Sequence, residues 1–264
     1  MSTKIHVFAV EGNIGAGKTT FIDLLRMKYP VFGYYYETLQ EWQNVKSTDG
    51  SDINVFEKAS RKPNKYGFPF QMITLTSQLN ILTSLPTAGH QVVIVERSYL
   101  SNRNVFARAL RDKRKINDTE WACYDFMLNK LLPKNFEYSG FIYLNTSPQK
   151  CFERMYLRNR REERNVSFKY IRRLHDYHNE WLMNRNDVLV LDNDNYKTCA
   201  KDYSSMLDEV QKFISMTVRD EEISRGIVEC TKCVEIGHES ENCLQQSRRK
   251  DKSTSYDDIP ETID

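Results

Sequence analysis

Residues 12–19 read Gly12-Asn13-Ile14-Gly15-Ala16-Gly17-Lys18-Thr19, directly after the apolar run Ile5–Val10. Glycines at this spacing let consecutive backbone N–H groups curl around phosphate oxygens. Lys18 adds a point charge on the outer phosphates, and the Thr19 hydroxyl can reach a magnesium ion. A helix starting near Lys18 directs its positive dipole end to the same place. A glycine-rich turn of no special purpose needs neither Lys18-Thr19 nor a strand before it. The candidate phosphate-binding set is therefore Gly12, Asn13, Ile14, Gly15, Ala16, Gly17, Lys18, Thr19 and Thr20.

Apolar runs alternate with longer helical patterns along the chain, as in a parallel sheet with crossover helices. Expected strands are Ile5–Val10, Tyr34–Tyr36, Val92–Val95, Phe141–Leu144 and Val188–Leu191. The expected fold is α/β: a P-loop NTPase fold with a five-stranded parallel sheet flanked by helices, a lid and a small C-terminal zinc module. Helices are expected over Phe70–Leu85 (after Pro69 and before Pro86), from Thr119 with Thr119 or Asp118 as cap, over Cys151–Arg160, over Phe168–Asn184 and over Asp202–Val218. In such sheets ligands bind beyond the carboxyl ends of the strands. Glu37, Glu96-Arg97-Ser98, Asn145-Thr146-Ser147 and Asp192-Asn193-Asp194 all fall there.

With 264 residues, 40% of them hydrophobic, the chain can bury one sizeable core and a small appendage. No apolar stretch approaches the ~20 residues of a membrane span, so no membrane partner is expected. A net charge of +2 is too small to imply nucleic-acid binding by itself. The first strand begins at Ile5, leaving no room for a signal or transit peptide. The expected location is the cytoplasm, with the nucleus as the alternative. Of the six cysteines, Cys123, Cys151 and Cys199 sit among apolar neighbours and are expected to be buried thiols.

Four features accompany the loop. Glu37 at a strand end is placed to take a proton from a hydroxyl that attacks a γ-phosphate. Glu96 at the end of the next strand is a second magnesium-organising group beside Thr19. Arg97 can hold a reacting phosphate or orient Glu37. Arg154, Arg158, Arg160, Arg161 and Arg164, with Glu162 and Glu163, read as a lid that closes over phosphates. Phe68, Phe70, Gln71, Trp42 and Phe106 suit the sandwiching and edge-reading of a nucleobase.

With these residues in place, the chain from about Lys4 to Ser215 resembles the deoxyribonucleoside kinases. The resemblance rests on Glu11-Gly12-Asn13-Ile14-Gly15-Ala16-Gly17-Lys18-Thr19-Thr20, on Glu37 followed by Trp42-Gln43-Asn44-Val45, and on Phe70-Gln71. It rests further on Glu96-Arg97-Ser98 with Ser101 and Arg103, on Thr119-Glu120-Trp121, and on the block Arg154–Leu182, which looks closest to the deoxycytidine kinase branch. It implies an ATP-dependent enzyme phosphorylating the 5′-hydroxyl of deoxynucleosides, as a homodimer. Glu37 would be the general base, and Lys18, Arg97, Arg158 and Arg160 would stabilise the transferring phosphoryl. Thr19 and Glu96 would organise Mg2+. Gln71 would bond the base, with Phe70 and Phe106 packed on it, and Glu163 would hold the 3′-hydroxyl. Trp42 and Asn102 complete the expected substrate set, and Arg154 the ATP set. Ser60 stands where the family has a tyrosine that shares the 3′-hydroxyl, leaving Tyr66 as a substitute. Thr74, Gln78 and Asn102 stand at the positions that tune base choice. Amides donate and accept, so a broad or shifted preference is expected.

The tail carries Cys230-x2-Cys233-x4-His238-x4-Cys243, a zinc-knuckle spacing with Gly237 before the histidine. Three thiolates and one imidazole suit tetrahedral Zn2+. Knuckles of this type bind RNA or single-stranded DNA, but Glu235, Glu239 and Glu241 make this one acidic, and a protein partner is equally compatible. The expected organisation is a P-loop kinase domain over 1–218, the knuckle over 228–245 and a disordered tail over 246–264. The alternatives are a nucleoside monophosphate kinase of thymidylate kinase type, or a nucleic-acid-binding or regulatory protein acting through the knuckle.

Overall fold

The computed structural model describes residues 4–194 and 203–224, with side chains of the last helix described to residue 219. The chain forms two compact units, 1–211 and 212–264. Among the described residues the second unit holds only the C-terminal part of the last helix. Cys199, Cys230, Cys233, His238 and Cys243 lie outside the described residues.

Strands β1 (His6–Glu11), β2 (Gly33–Tyr35), β5 (Val92–Glu96), β6 (Gly140–Asn145) and β7 (Val188–Asp192) form one parallel sheet in the order β2-β5-β1-β6-β7. A short antiparallel pair, β3 (Val45–Lys46) and β4 (Asp52–Ile53), stands apart from it. The central strand β1 pairs with β5 and β6 and is buried at every position. A strand covered on both faces needs no polar alternation, which is why its sequence is a nearly continuous apolar run.

Helices α1 (Lys18–Lys28), α2 (Leu39–Gln43), α3 (Val55–Arg61) and α4 (Pro63–Ser84) lie in the first half of the chain. They are followed by α5 (Tyr99–Ser101), a π-helical turn over Asn102–Ala107, α6 (Arg108–Asp112) and α7 (Asp118–Leu131). The second half adds α8 (Pro148–Arg158), α9 (Phe168–Leu182) and α10 (Ser204–Ser224). One sheet face, through Val7, Ala9, Val93, Val95, Phe141 and Tyr143, packs with Leu75, Leu79 and Leu82 of α4, Tyr124 and Leu128 of α7 and Leu182 of α9. Helix α1 packs against β1 and β5 and buries Phe21, Ile22 and Leu25.

Local chemistry explains several helix ends. Ser147 caps α8, Pro148 takes its first position, and Asn159 ends it at φ 49°. These are the residue types favoured at the cap, at N1 and at a left-handed stop. The expected helix starting at Phe70 in fact begins at Pro63 and runs through Pro69. Pro69 removes only the bond to the carbonyl of Lys65, near the exposed start of the helix, where water can replace it. The cap of α7 is Asn117, not Asp118 or Thr119: its side chain accepts from Glu120 N while Glu120 accepts from Asn117 N. Cys123 on α7 is exposed, contrary to the expectation of a buried thiol, whereas Cys151 is buried. Burial pushes the Cys151 thiol up to about 12. No helix among the described residues is long and apolar enough to cross a membrane.

Replacing Asn117 by Ala removes one half of a reciprocal cap. It should lower unfolding free energy by about 1 kcal/mol, measured by urea denaturation, with little change in the slope of the transition.

Candidate active site

The loop between β1 and α1 is held open by its neighbours. The Ala16 carbonyl accepts from Asn193 Nδ2 at 2.6 Å, Thr146 Oγ1 at 3.4 Å and Arg154 Nη1 at 3.4 Å. Three donors on this one carbonyl anchor the loop to the ends of β6 and β7 and to α8. Gly15 sits at φ 77°, and a Cβ there would come within 2.1 Å of the Cys151 carbonyl. Asn13 is built into the loop: its Oδ1 accepts from Ile14 N at 2.8 Å and its Nδ2 donates to the Ile171 carbonyl at 2.8 Å. Gly12, Asn13 and Ala16 are buried behind the cavity, while Ile14, Gly15, Gly17, Lys18, Thr19 and Thr20 line it.

Lys18 is buried and folds back so that Nζ donates to the carbonyls of Asn13, at 3.2 Å, and Gly12, at 3.4 Å. Burial and the nearby Arg97 cation pull its pKa down to about 8, against the pull of Glu37 and Glu96.

Glu96 at the end of β5 accepts from Thr19 Oγ1, at 3.0 Å and 3.2 Å to its two oxygens. Burial, then the Glu37 carboxylate, holds its carboxyl above the usual range. Arg97 follows it with φ 63°, a left-handed conformation that costs a non-glycine residue about 1–3 kcal/mol. The surrounding contacts hold it there. Its N donates to Val10 O at 3.0 Å, Nη1 to Gly12 O at 2.7 Å, and Nε pairs with Glu37 Oε1 at 2.8 Å. The guanidinium carbon stands 4.7 Å over the Phe106 ring.

Glu11, absent from the expected site, completes this corner. Its Oε1 accepts from Ser98 N at 2.8 Å and Ser98 Oγ at 2.6 Å. The Ser98 hydroxyl in turn accepts from Ser101 N. A carboxylate at the buried end of a strand, one residue before the loop, was the available sequence signal.

The segment after α8 brings arginines and carboxylates together. Arg158 Nη2 donates to both oxygens of Glu163, at 2.7 Å and 3.0 Å, and Arg160 Nη1 lies 3.6 Å from it. Glu162 Oε1 accepts from Asn54 Nδ2 at 2.7 Å and Gln43 Nε2 at 2.9 Å. Burial opposes its ionisation, but these hydrogen bonds keep its carboxyl below the usual range. Arg154 does not join this group: it lies against Ala16 O and Asn193 O.

Lys18, Thr19, Glu37, Glu96, Arg97, Arg158, Arg160, Glu162 and Glu163 border one cavity of about 560 Å³, and Glu11, Ser98 and Arg154 support it from outside its lining. Beyond Glu37 it is walled by an aromatic set. Phe56 and Phe70 stack with centroids 5.0 Å apart, and Trp42 meets both edge-on. Phe56 was not expected, because nothing in its own neighbourhood distinguishes it from a core residue. Phe68 packs against the core instead. Ser60 lines the cavity, and Tyr66 is not among its lining residues. Gln71, Thr74, Gln78 and Asn102 add buried polar side chains to its lining.

The arrangement combines an anion cradle, a carboxylate and hydroxyl suited to a divalent cation, a carboxylate fixed by an arginine, and an aromatic slot. It can bind a nucleoside triphosphate and place a hydroxyl beside Glu37. Lys18 carries its charge below about pH 8 and loses it above. Triphosphate affinity should therefore hold steady below that pH. Above it, affinity should fall by up to about tenfold per pH unit, as read by equilibrium binding across the alkaline range.

Comparison with known proteins agrees with this chemistry. A family model described as deoxynucleoside kinase matches residues 8–215. The chain is 32% identical to a deoxycytidine kinase of Mus musculus over 81% of its length and 92% of that protein's. It is 32% identical to a mitochondrial deoxyguanosine kinase of Xenopus laevis over 72% of its length and 78% of that protein's. It is 31% identical to a probable deoxycytidine kinase of fowlpox virus over 78% and 87% respectively. The chain belongs to the deoxynucleoside kinase family.

Proposed function

We propose that the chain transfers the γ-phosphoryl group of ATP to the 5′-hydroxyl of a deoxynucleoside, with Glu37 as general base. The observation that carries this reading is the 2.8 Å pair between Arg97 Nε and Glu37 Oε1, in the cavity that Lys18 and Gln71 also line. It fixes a carboxylate between the phosphate loop and the aromatic slot. The relatives named for deoxycytidine and deoxyguanosine support a deoxynucleoside acceptor.

In this reading Glu37 takes the hydroxyl proton as the oxygen bonds to the γ-phosphorus. The bond from phosphorus to the β–γ bridging oxygen breaks, and ADP leaves with that electron pair. Lys18, Arg97, Arg158 and Arg160 offset charge on the transferring group. The Thr19 hydroxyl and Glu96 carboxylate are the hard oxygen donors that Mg2+ accepts. Bound there, Mg2+ supplies charge neutralisation for the phosphates. Phe70, Phe106, Trp42 and Gln71 hold the base, and Glu163 holds the 3′-hydroxyl, with Ser60 at the cavity wall nearby. A homodimer is supported by the family resemblance and by Phe126, Met127 and Leu131 standing exposed on α7.

Glu37→Gln keeps the size of the side chain and removes the base. It should lower kcat about 10²–10⁴-fold while deoxynucleoside binding, read by calorimetry, persists. A kcat within a few-fold of the unsubstituted enzyme overturns the assignment.

The spacing of Cys230, Cys233, His238 and Cys243 supports Zn2+ binding by the tail, with RNA, single-stranded DNA or another protein as its partner. Elemental analysis should find stoichiometric zinc in the chain and its loss in Cys233→Ser. Equal zinc content in both overturns the site.

A further inference from the structure

The turn that follows α8 carries two adjacent glutamates with different partners. Glu163 accepts from Arg158 and stands 3.6 Å from Arg160, on the phosphate side. Glu162 is 5% exposed and is bonded to the opposite wall. Its Oε1 accepts from Asn54 Nδ2 at 2.7 Å and from Gln43 Nε2 at 2.9 Å. A buried carboxylate is costly unless it is bonded, and bonds to an ionised acceptor are the stronger kind.

The two amides belong to the walls of the aromatic slot. Gln43 ends α2 directly after Trp42, and α2 begins two residues after Glu37. Asn54 caps α3: its Oδ1 accepts from Glu57 N at 2.8 Å while its Nδ2 goes to Glu162. From that cap α3 carries Phe56 into the stack with Phe70, and Ser60 to the cavity wall. A second link runs from Arg161 Nε to Glu57 Oε1 at 2.9 Å, but Arg161 is 65% exposed and water screens that pair. The buried Glu162 link is the one that sets position. Arg161–Glu163 form one short helical turn, so Glu162 and Glu163 do not shift independently.

We infer that Glu162 is a positioning residue that ties the arginines of the phosphate side to the aromatic slot, so that deoxynucleoside and triphosphate each bind more tightly when the other is present. The inference rests on the proposed assignment of the slot to the acceptor and of Arg158 and Arg160 to the phosphates. An acceptor seated against Trp42 and Phe56 steadies α2 and α3, hence Glu162, and through the turn Glu163 and its arginines. A triphosphate that engages those arginines acts along the same bonds in reverse. Whichever ligand arrives first pays for ordering the shared turn, and the second does not pay again. Linkage makes the two effects equal.

The experiment measures deoxynucleoside dissociation constants by calorimetry, with and without saturating Mg2+ and the β,γ-imido analogue of ATP. The probe is whichever of deoxycytidine, deoxyguanosine, deoxyadenosine and thymidine the enzyme phosphorylates fastest. The analogue should tighten binding at least about fivefold, the lower end of typical coupling between sites. Glu162→Ala should bring that factor to within about twofold of unity. Glu162→Gln keeps the one oxygen that accepts both bonds, and should keep the coupling. Asn54→Asp preserves a cap for α3 but sets a carboxylate against Glu162, and should abolish the coupling. Asn54→Asp combined with Glu162→Gln lets the new amide donate to the new carboxylate, and should restore it. Impaired folding alone predicts no such recovery, because the second substitution would only add to the first. A smaller factor in the unsubstituted enzyme, an unchanged factor in Glu162→Ala, or no recovery in the double variant overturns the inference and leaves the kinase reading intact. Phosphorylation of none of these deoxynucleosides overturns both.

Discussion

The site is organised around a buried cation held in an unfavourable backbone conformation. Arg97 reaches the end of β1 through Val10 and Gly12, the end of β2 through Glu37, and the π-helical turn through Phe106. Breaking a buried ion pair by removing one partner costs about 3–5 kcal/mol, more than the strain the pair offsets. The carboxylate at the reacting position and the loop that holds phosphate are therefore fixed by one side chain. Glu11 secures the same corner from below through Ser98, so two consecutive residues after Glu96 are clamped to the central strand.

The phosphate side has a comparable anchor in the Ala16 carbonyl, which gathers donors from the ends of β6 and β7 and from α8. Arg154 serves this anchor, while Arg158, one turn later, serves Glu163. The helix thus has a structural arginine behind the loop and a second arginine beside the cavity. In the arginine cluster Glu163 is bound to Arg158. The carboxylate assigned to the sugar and a cation assigned to the phosphates are therefore one another's partners.

Much of this was legible in the sequence. All five strands of the parallel sheet and the residues at their carboxyl ends followed from short apolar runs and what came after them. The loop carries a spacing that suits phosphate chemistry, and Glu37 and Glu96-Arg97 drew attention by falling at strand ends beside it. What the sequence withheld depends on distant partners. Glu11 looks like the polar end of a strand until Ser98, 87 residues later, is placed against it. Phe56 becomes an aromatic wall only when α3 packs on α4. Asn102 read as an adaptable amide because nothing local announces that its Oδ1 accepts from Tyr124 OH and its Nδ2 donates to Thr74 Oγ1. The π-turn at Asn102–Ala107 has no signature in residue type, and π-turns tend to occur where a site needs side chains re-aimed. Pro69 misled for the opposite reason: a strong local stop signal was overridden by a helix that had already begun at Pro63.

Gly15 illustrates how a residue can answer to two requirements at once. Its positive φ belongs to the phosphate loop, but the space its missing side chain leaves is filled by the Cys151 carbonyl of α8. A Cβ there would push helix and loop apart before any nucleotide arrived. In a mutational scan, inactivity at this position would measure the docking of α8 as much as the grip on phosphate. Selection acting on either would preserve the same glycine.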